Sequence, residues 1–325
     1  MPADRLPLKP GDTGEAVRDL QRRLSAAGAA AGALESGQYC PSTEAAVRAF
    51  QDGRGLRPDG RCDDQTWAAL VEASWSLGDR LLYHRSPNLR GDDVAELQRR
   101  LGRLGFDAGR VDGIFGPRAE HALREFQRNV GLHPDGICGY ETVHALHRLG
   151  DRVAGPPVAS VREEELLRHA PRTLAGRRLV VGQLGSIGVV GRAVANALRR
   201  AGATVMSLDE PDPSAQAQAA NRFAADAYLG LAPSEGPVSV AYYAVPGFES
   251  IGGRHLAHLL YQRLGGVVAV GADGPLGMRL TVLRETRMPA VLCELGPVAD
   301  IIKATPRVVV GVVSAVTCWV ETPVA

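Results

Sequence analysis

The sequence predicts a multidomain chain: two small three-helix domains in tandem, then an α/β domain with a mostly parallel sheet. Three observations lead there. The first half repeats itself, with LQRRL at 20–24 and again at 97–101. From Arg177 onward, short apolar runs rich in β-branched residues alternate with helical runs. Between the halves, Gly155-Pro156-Pro157 cannot lie inside a helix and reads as a semi-rigid spacer.

Bulk properties bound the problem. The 325 residues, 45% hydrophobic and 22% charged, suit a soluble chain of two or three domains with real cores. A formal net charge of +1 and 5% aromatic residues give no global pull toward nucleic acid and little means of stacking on bases, so no nucleic-acid partner is expected. No apolar run is long enough for a membrane span, and none is expected. The opening MPADRLPLKPGDTG has no apolar signal core, so the expected location is the cytoplasm. The five cysteines are scattered without CxxC spacing, which fits free thiols in a reducing compartment.

The repeat extends past LQRRL. Val17, Leu20, Gln21 and Leu24 recur as Val94, Leu97, Gln98 and Leu101. With one residue of slippage, Gly37, Tyr39, Pro41, Phe50, Gln51, Gly60 and Cys62 recur as Gly113, Phe115, Pro117, Phe126, Gln127, Gly136 and Cys138. So long a period means tandem domains rather than a solenoid. In each copy apolar residues at i, i+3 and i+7 mark the first helix, 14–27 in copy one. Helices at 42–51 and 66–73 follow, separated by turns rich in Gly, Pro and Asp. His144 and His147, at i and i+3 on the last helix of copy two, read as a solvated face rather than a metal pair.

This pattern resembles the peptidoglycan-binding-type-1 domain, over about residues 8–75 and 85–150, with 151–175 as linker and short helix and 176–325 as the last domain. The resemblance implies a sugar or muropeptide groove beside the DGxFG turn, carried by Asp112, Gly113, Phe115 and Gly116. Copy one departs from it, with Ser36 for the Asp and Cys40 for the last Gly.

In the linker region a short helix is expected at 163–169, its acids Glu163–Glu165 forming a solvated face. In the second half, strands are expected at 179–181, 204–208, 227–231, 238–243, 267–270 and 290–294. Helices are expected at 190–201, 215–225, 252–264 and 308–319, and the alternation argues for a parallel sheet covered by helices.

The stretch RRLVVGQLGSIGVVGR, 177–192, reads as strand, glycine turn and helix start, with Asp209 at the end of the next strand. That is the setting of a dinucleotide site, where helix-start amides bind pyrophosphate and an acid binds ribose. The glycines Gly182, Gly185, Gly188 and Gly191, however, are spaced GxxGxxGxxG, and Leu184 stands where the tight GxG pair should be. NAD(P) binding is therefore the second alternative.

ETRMPAVLCELGPVAD, 285–300, resembles the closing motif of N-acetylmuramoyl-L-alanine amidase family 3, RxTxMPAVLVExGFxSN. AADAYLGL, 224–231, falls where that family has its AD-x-FISIH strand. Two peptidoglycan-binding modules followed by such a domain resemble the actinobacterial CwlM group. Carried over residue by residue, the family's first metal ligand, a histidine, falls on Gly185, with Gly182 and Gln183 at the preceding Asp and Pro. Its second ligand, a glutamate, has no counterpart between Gly182 and Ala193, and its third, a histidine, falls on Ala232. The catalytic carboxylate alone remains, as Glu294. Zinc hydrolysis needs ligands to hold the ion that activates water, with the carboxylate moving the proton. A zinc site rebuilt from His255, His258 and Glu294, with His169 the one other histidine of this half, is a lesser reading than a polar helix face. Met278 and Met288 read as core or surface residues.

The expectation is therefore a non-catalytic, amidase-like binding protein with no cofactor. The resemblance implies regulation of peptidoglycan precursor synthesis or export, with cell-wall synthesis proteins or muropeptide precursors as partners. The first alternative is an active zinc-dependent amidase. Regulation in that group involves phosphorylation of a threonine-bearing C-terminal tail, which is essentially absent from the closing Glu321–Ala325, and phosphorylation control is left open.

Overall fold

A computed structural model describes residues 6–29, 36–149 and 157–323. The chain divides into two compact units, Met1–Ala159 and Ser160–Ala325. The spacer residues 151–156 lie outside the described residues.

In the first unit, copy one contains α1 (Glu15–Ala26), α2 (Pro41–Gly53) and α3 (Asp64–Glu72). Copy two contains α4 (Asp92–Arg103), α5 (Pro117–Asn129) and α6 (Tyr140–Leu149). Each copy has its own core. Val17, Leu20, Leu24, Phe50 and Leu70 close the first, and Val94, Leu97, Leu101, Phe126 and Leu146 the second. The helical spacing of these positions is what brings them onto one face.

The glutamines of LQ and FQ are buried as well, and each clamps a turn. Gln98 Nε2 donates to Asp112 Oδ1 (2.8 Å) and to the Ile114 carbonyl (3.1 Å), while its Oε1 accepts from the Gly113 N–H (2.8 Å). Gln127 does the same at the second turn, donating to Asp135, the Ile137 carbonyl and Thr142 and accepting from the Gly136 N–H (2.9 Å). Gln21 and Gln51 repeat the device in copy one. The turn glycines Gly113 and Gly136 have φ of 70° and 75°, a region that other residues enter only with strain.

Most of α7 (Val158–His169) belongs to the second unit. Expected as part of the linker, this helix instead packs here, with Leu167 in the core of the α/β unit. Glu163 is not simply a solvated acid. Its Oε1 accepts from Ser250 Oγ (2.6 Å) and from the Gly252 N–H (3.2 Å).

The sheet is built from β1 (Arg178–Gln183), β2 (Thr204–Asp209), β3 (Ala227–Pro233), β4 (Ser239–Val245), β5 (Phe248–Glu249), β6 (Leu276–Met278) and β7 (Ala290–Leu295). Its order is β2-β1-β3-β7-β4-β5, with β6 also on β4. β2, β1, β3 and β7 run parallel, and β4 is antiparallel to β7. The helices are α8 (Gly188–Arg200), α9 (Pro213–Arg222), α10 (Ile251–Gly265), α11 (Thr281–Glu285) and α12 (Val298–Glu321). Alternation sends Leu179, Val181, Leu229, Leu231, Val291 and Cys293 into one core with α8, α10 and α12. The opposite face carries Gly182, Tyr228, Ala232 and Glu294.

Two expectations change. Residues 267–270 form no strand, only a single bridge from Val270 to Val238. The last helix starts ten residues earlier than expected and runs through Pro306. Proline removes the N–H that would bond the Ile302 carbonyl. The Thr305 hydroxyl donates to that carbonyl instead (2.8 Å), and Pro306 faces solvent.

Candidate functional site

The C-terminal edge of β1, β3 and β7 is where the sequence places the chemistry. Ala232 and Glu294 are register partners on β3 and β7, so their side chains stand side by side on one face. Ser239 on β4, also in register with Glu294, donates its hydroxyl to Glu294 Oε2 (2.9 Å). Glu294 is half-buried.

Gly185, in the loop after β1, has a φ of 127°. A Cβ built there would stand 2.8 Å from Pro233 Cδ. Pro233 directly follows Ala232. The two positions at which the family resemblance would put histidines, Gly185 and Ala232, thus carry no donor atom, and the first closes on the residue that follows the second. At Gly182 a Cβ would stand 2.0 Å from Gln216 Oε1 and 2.3 Å from Tyr228 Oη. That space holds a buried polar pair: the Tyr228 hydroxyl donates to Gln216 Oε1 (2.6 Å), and Gln216 Nε2 donates to the Gln183 carbonyl (2.7 Å). Burial pushes the Tyr228 hydroxyl well above its usual pKa, so it stays a donor. Just past Glu294, at the same end of β7, a Cβ on Gly296 would meet the Ser234 carbonyl at 2.1 Å, so the loop after β3 lies directly on the strand end.

The donors at this edge do not fit a zinc ion, which takes three protein ligands and an open position in catalytic sites. Among the described residues no group of three or more His, Cys, Asp or Glu side chains is gathered to hold a metal. The rebuilt site from His255, His258 and Glu294 is contradicted by placement. α10 begins against Pro289 and Ala290, where Cβ atoms on Gly252 and Gly253 would touch them. His255 is therefore at the opposite end of β7 from Glu294, beside the Thr322 backbone, where burial lowers its pKa. His258 Nδ1 lies 2.9 Å from the Arg254 carbonyl. His169, at the end of α7, has its Nδ1 2.9 Å from the Glu165 carbonyl.

A histidine placed at Gly185 should fail on steric grounds. Gly185→His is expected to cost about 1–2 kcal/mol from the backbone alone, before the Pro233 contact is counted. Urea unfolding with and without zinc checks this, and zinc-dependent stabilisation of the variant would contradict it.

The glycine turn has its own explanation. A Cβ on Gly191 would stand 2.6 Å from Gln183 Cδ, and one on Gly188 3.1 Å from Gln183 Oε1. These glycines make room for the buried Gln183 side chain beneath α8 rather than for a pyrophosphate. Asp209 ends β2 in register with Gln183 and is exposed.

In copy two, Asp112, Gly113, Phe115 and Gly116 are occupied in building their turn. Phe115 is 0% exposed and part of the core, so its ring cannot touch a ligand. Asp112 also accepts from the Ile114 N–H (2.8 Å), and Gly116 caps α5. Sequence reasoning missed a groove of about 550 Å³ elsewhere in this copy, lined by residues that include Leu132, Tyr140, Glu141, His144 and Arg148. Tyr140 is 84% exposed and stacks on His144, with ring centroids 6.3 Å apart. Its one signal in the sequence is an aromatic residue opening a helix. His147 lies apart from that pair, 3.2 Å from Arg100 Nη1. In copy one Cys40 takes the capping position of α2, and hydrogen bonding to the Ser42 and Thr43 hydroxyls lowers its thiol to about 6.

The fold and this strand edge define a class: peptidoglycan-binding-type helical repeats joined to an amidase-like α/β unit. A family model described as a putative peptidoglycan binding domain matches residues 13–70 and 90–146. The N-acetylmuramoyl-L-alanine amidase CwlM of Mycobacterium tuberculosis is 34% identical over 335 residues, covering 90% of this chain and 82% of that protein. The chain belongs to the CwlM family. The N-acetylmuramoyl-L-alanine amidase CwlL of Bacillus licheniformis is 32% identical over 163 residues, covering 44% of this chain and 45% of its own. Among solved structures, an N-acetylmuramoyl-L-alanine amidase of Clostridium difficile 630 aligns over 45% of this chain and 98% of its own, at 16% identity and a TM-score of 0.37. Family membership replaces the NAD(P) reading of the glycine turn.

Proposed function

We propose that this protein is a pseudoenzyme that acts by binding: a cytoplasmic regulator of peptidoglycan precursor synthesis or export, working through cell-wall synthesis proteins or muropeptide precursors. The observation that carries the reading is the closure of Gly185 on Pro233, with Ala232 before it and Glu294 beside Ala232, so that no ligating side chain stands at either position next to the carboxylate. A base without an ion has nothing to polarise an amide carbonyl or lower the pKa of water. Glu294 then serves as a hydrogen-bond acceptor for Ser239, tying β7 to β4.

The rival is an active zinc-dependent N-acetylmuramoyl-L-alanine amidase, favoured by the names of the relatives. Incubation with muropeptides in excess zinc separates the two. The expected result is no release of peptide above the rate of Glu294→Ala. Cleavage that disappears in Glu294→Ala would establish the rival.

A further inference from the structure

The layer formed by α8, α12 and α10 turns one side to the sheet, and its outer side has an uneven chemistry. α12 lies between the other two, packing against both. Its inward residues, among them Val308, Val312 and Trp319, are fully buried. Its outward residues include Ile302 and Val310, 54% and 68% exposed, with exposed Pro306 midway between them. The spacing i, i+4, i+8 sets these three along one stripe. Exposed Lys303 and Arg307 run beside the stripe.

The flanking helices add charge of the same sign. α8 exposes Arg192 and Arg200, and its first turn exposes Val189, while Arg199 turns to β2 and donates to the Val205 carbonyl and to Ser207 Oγ (both 2.9 Å). α10 exposes Arg254, which pairs with Glu249, and Arg263. Against these six outer cations the three helices carry two acids, Asp300 and Glu321, in a chain whose formal net charge is +1. Cations thus outnumber acids three to one on these helices, where the whole chain is nearly balanced at 37 to 36, and they surround exposed aliphatic side chains.

That combination selects its occupant. A second copy docked through the same face would set cations against cations, since a two-fold contact is self-complementary. A folded acidic protein would have to receive the aliphatic stripe itself, which lines no hollow: the groove of about 260 Å³ beside α12 takes in Lys303 and Arg307 but none of Ile302, Pro306 and Val310. A bilayer bearing anionic headgroups meets both demands, because phosphates attract the cations and the acyl boundary takes up the aliphatics. By length and composition α12 is apolar enough to cross a membrane, yet its inner face is committed to the core. We propose that the outer face of the α8–α12–α10 layer docks on the surface of an anionic bilayer. Lys303 and Arg307 meet headgroup phosphates, while Ile302, Pro306 and Val310 enter the acyl boundary.

Sedimentation of the full chain with phosphatidylglycerol–phosphatidylcholine vesicles, against vesicles of phosphatidylcholine alone, tests this. Binding is expected to the anionic vesicles and to fall steeply with salt. Removing a cation should weaken it about five-fold, so Lys303→Glu/Arg307→Glu should weaken it by more than about 25-fold. Ile302→Ser/Val310→Ser should also weaken it while leaving its salt dependence unchanged. All four positions are exposed, and an unchanged thermal midpoint verifies that each variant folds. Failure to bind anionic vesicles at low salt would overturn the proposal, as would equal binding by either double variant. Polyglutamate binding that needs Lys303 and Arg307, with lipid binding indifferent to the aliphatics, would overturn it in favour of an acidic protein partner.

Discussion

Gln127→Leu is expected to destabilise the second helical repeat by about 3 kcal/mol, since each buried group left unpaired costs about 1–3 kcal/mol. The side chain is 2% exposed and makes four hydrogen bonds. Leucine has nearly the same volume, so the core around Phe126 and Leu146 stays filled and the loss isolates the polar contacts. The Gly136 N–H and the Ile137 carbonyl are the groups stranded, at a turn whose φ is already unusual. Urea unfolding followed by circular dichroism measures the change. Arg128→Ala, one residue on and exposed, should stay within about 0.5 kcal/mol. If Gln127→Leu were equally mild, the clamp would not hold the turn.

Trp319→Ala should cost more, about 4 kcal/mol, because truncating a buried tryptophan leaves a large cavity. Trp319 is the largest of the fully buried side chains. Its indole N–H donates to the Gly252 carbonyl (3.0 Å), tying the end of α12 to the first turn of α10. The Arg177 guanidinium carbon lies 5.8 Å from its ring centroid, and that arginine is itself buried beside Asp226. Trp319→Phe keeps most of the ring volume but removes the donor, so it should lose about 1 kcal/mol. Denaturant unfolding of the two variants separates packing from hydrogen bonding. Equal losses would mean that the indole N–H, rather than the ring, carries the contact.

What could be read in the sequence follows from the range of each signal. Periodicity is local, so Val94, Leu97 and Leu101 revealed α4, and the run Ala290–Leu295 revealed β7. The glutamine clamps are visible as repeated letters, but their role depends on turns 8 to 17 residues away. α12 was seen only from Val308, because Pro306 breaks a helix unless some neighbour satisfies the freed carbonyl, as the Thr305 hydroxyl does here. α11, β5 and β6 are too short to carry a period. At the strand edge, the side-by-side placement of Ala232 and Glu294 comes from sheet register, which a motif alignment alone does not supply. The approach of Gly185 to Pro233 joins residues far apart in the chain and left no local trace. The exposure of Tyr140, and with it the groove on α6, could not be read either, because an aromatic at a helix start is equally at home in a core.

A pseudoenzyme of the kind proposed above cannot bind a metal ion at the strand edge holding Glu294. Metal analysis of the purified chain after equilibration with zinc and removal of the free ion tests it most directly. Zinc far below one equivalent per chain is the predicted result. Stoichiometric zinc that is lost in Glu294→Ala would contradict it.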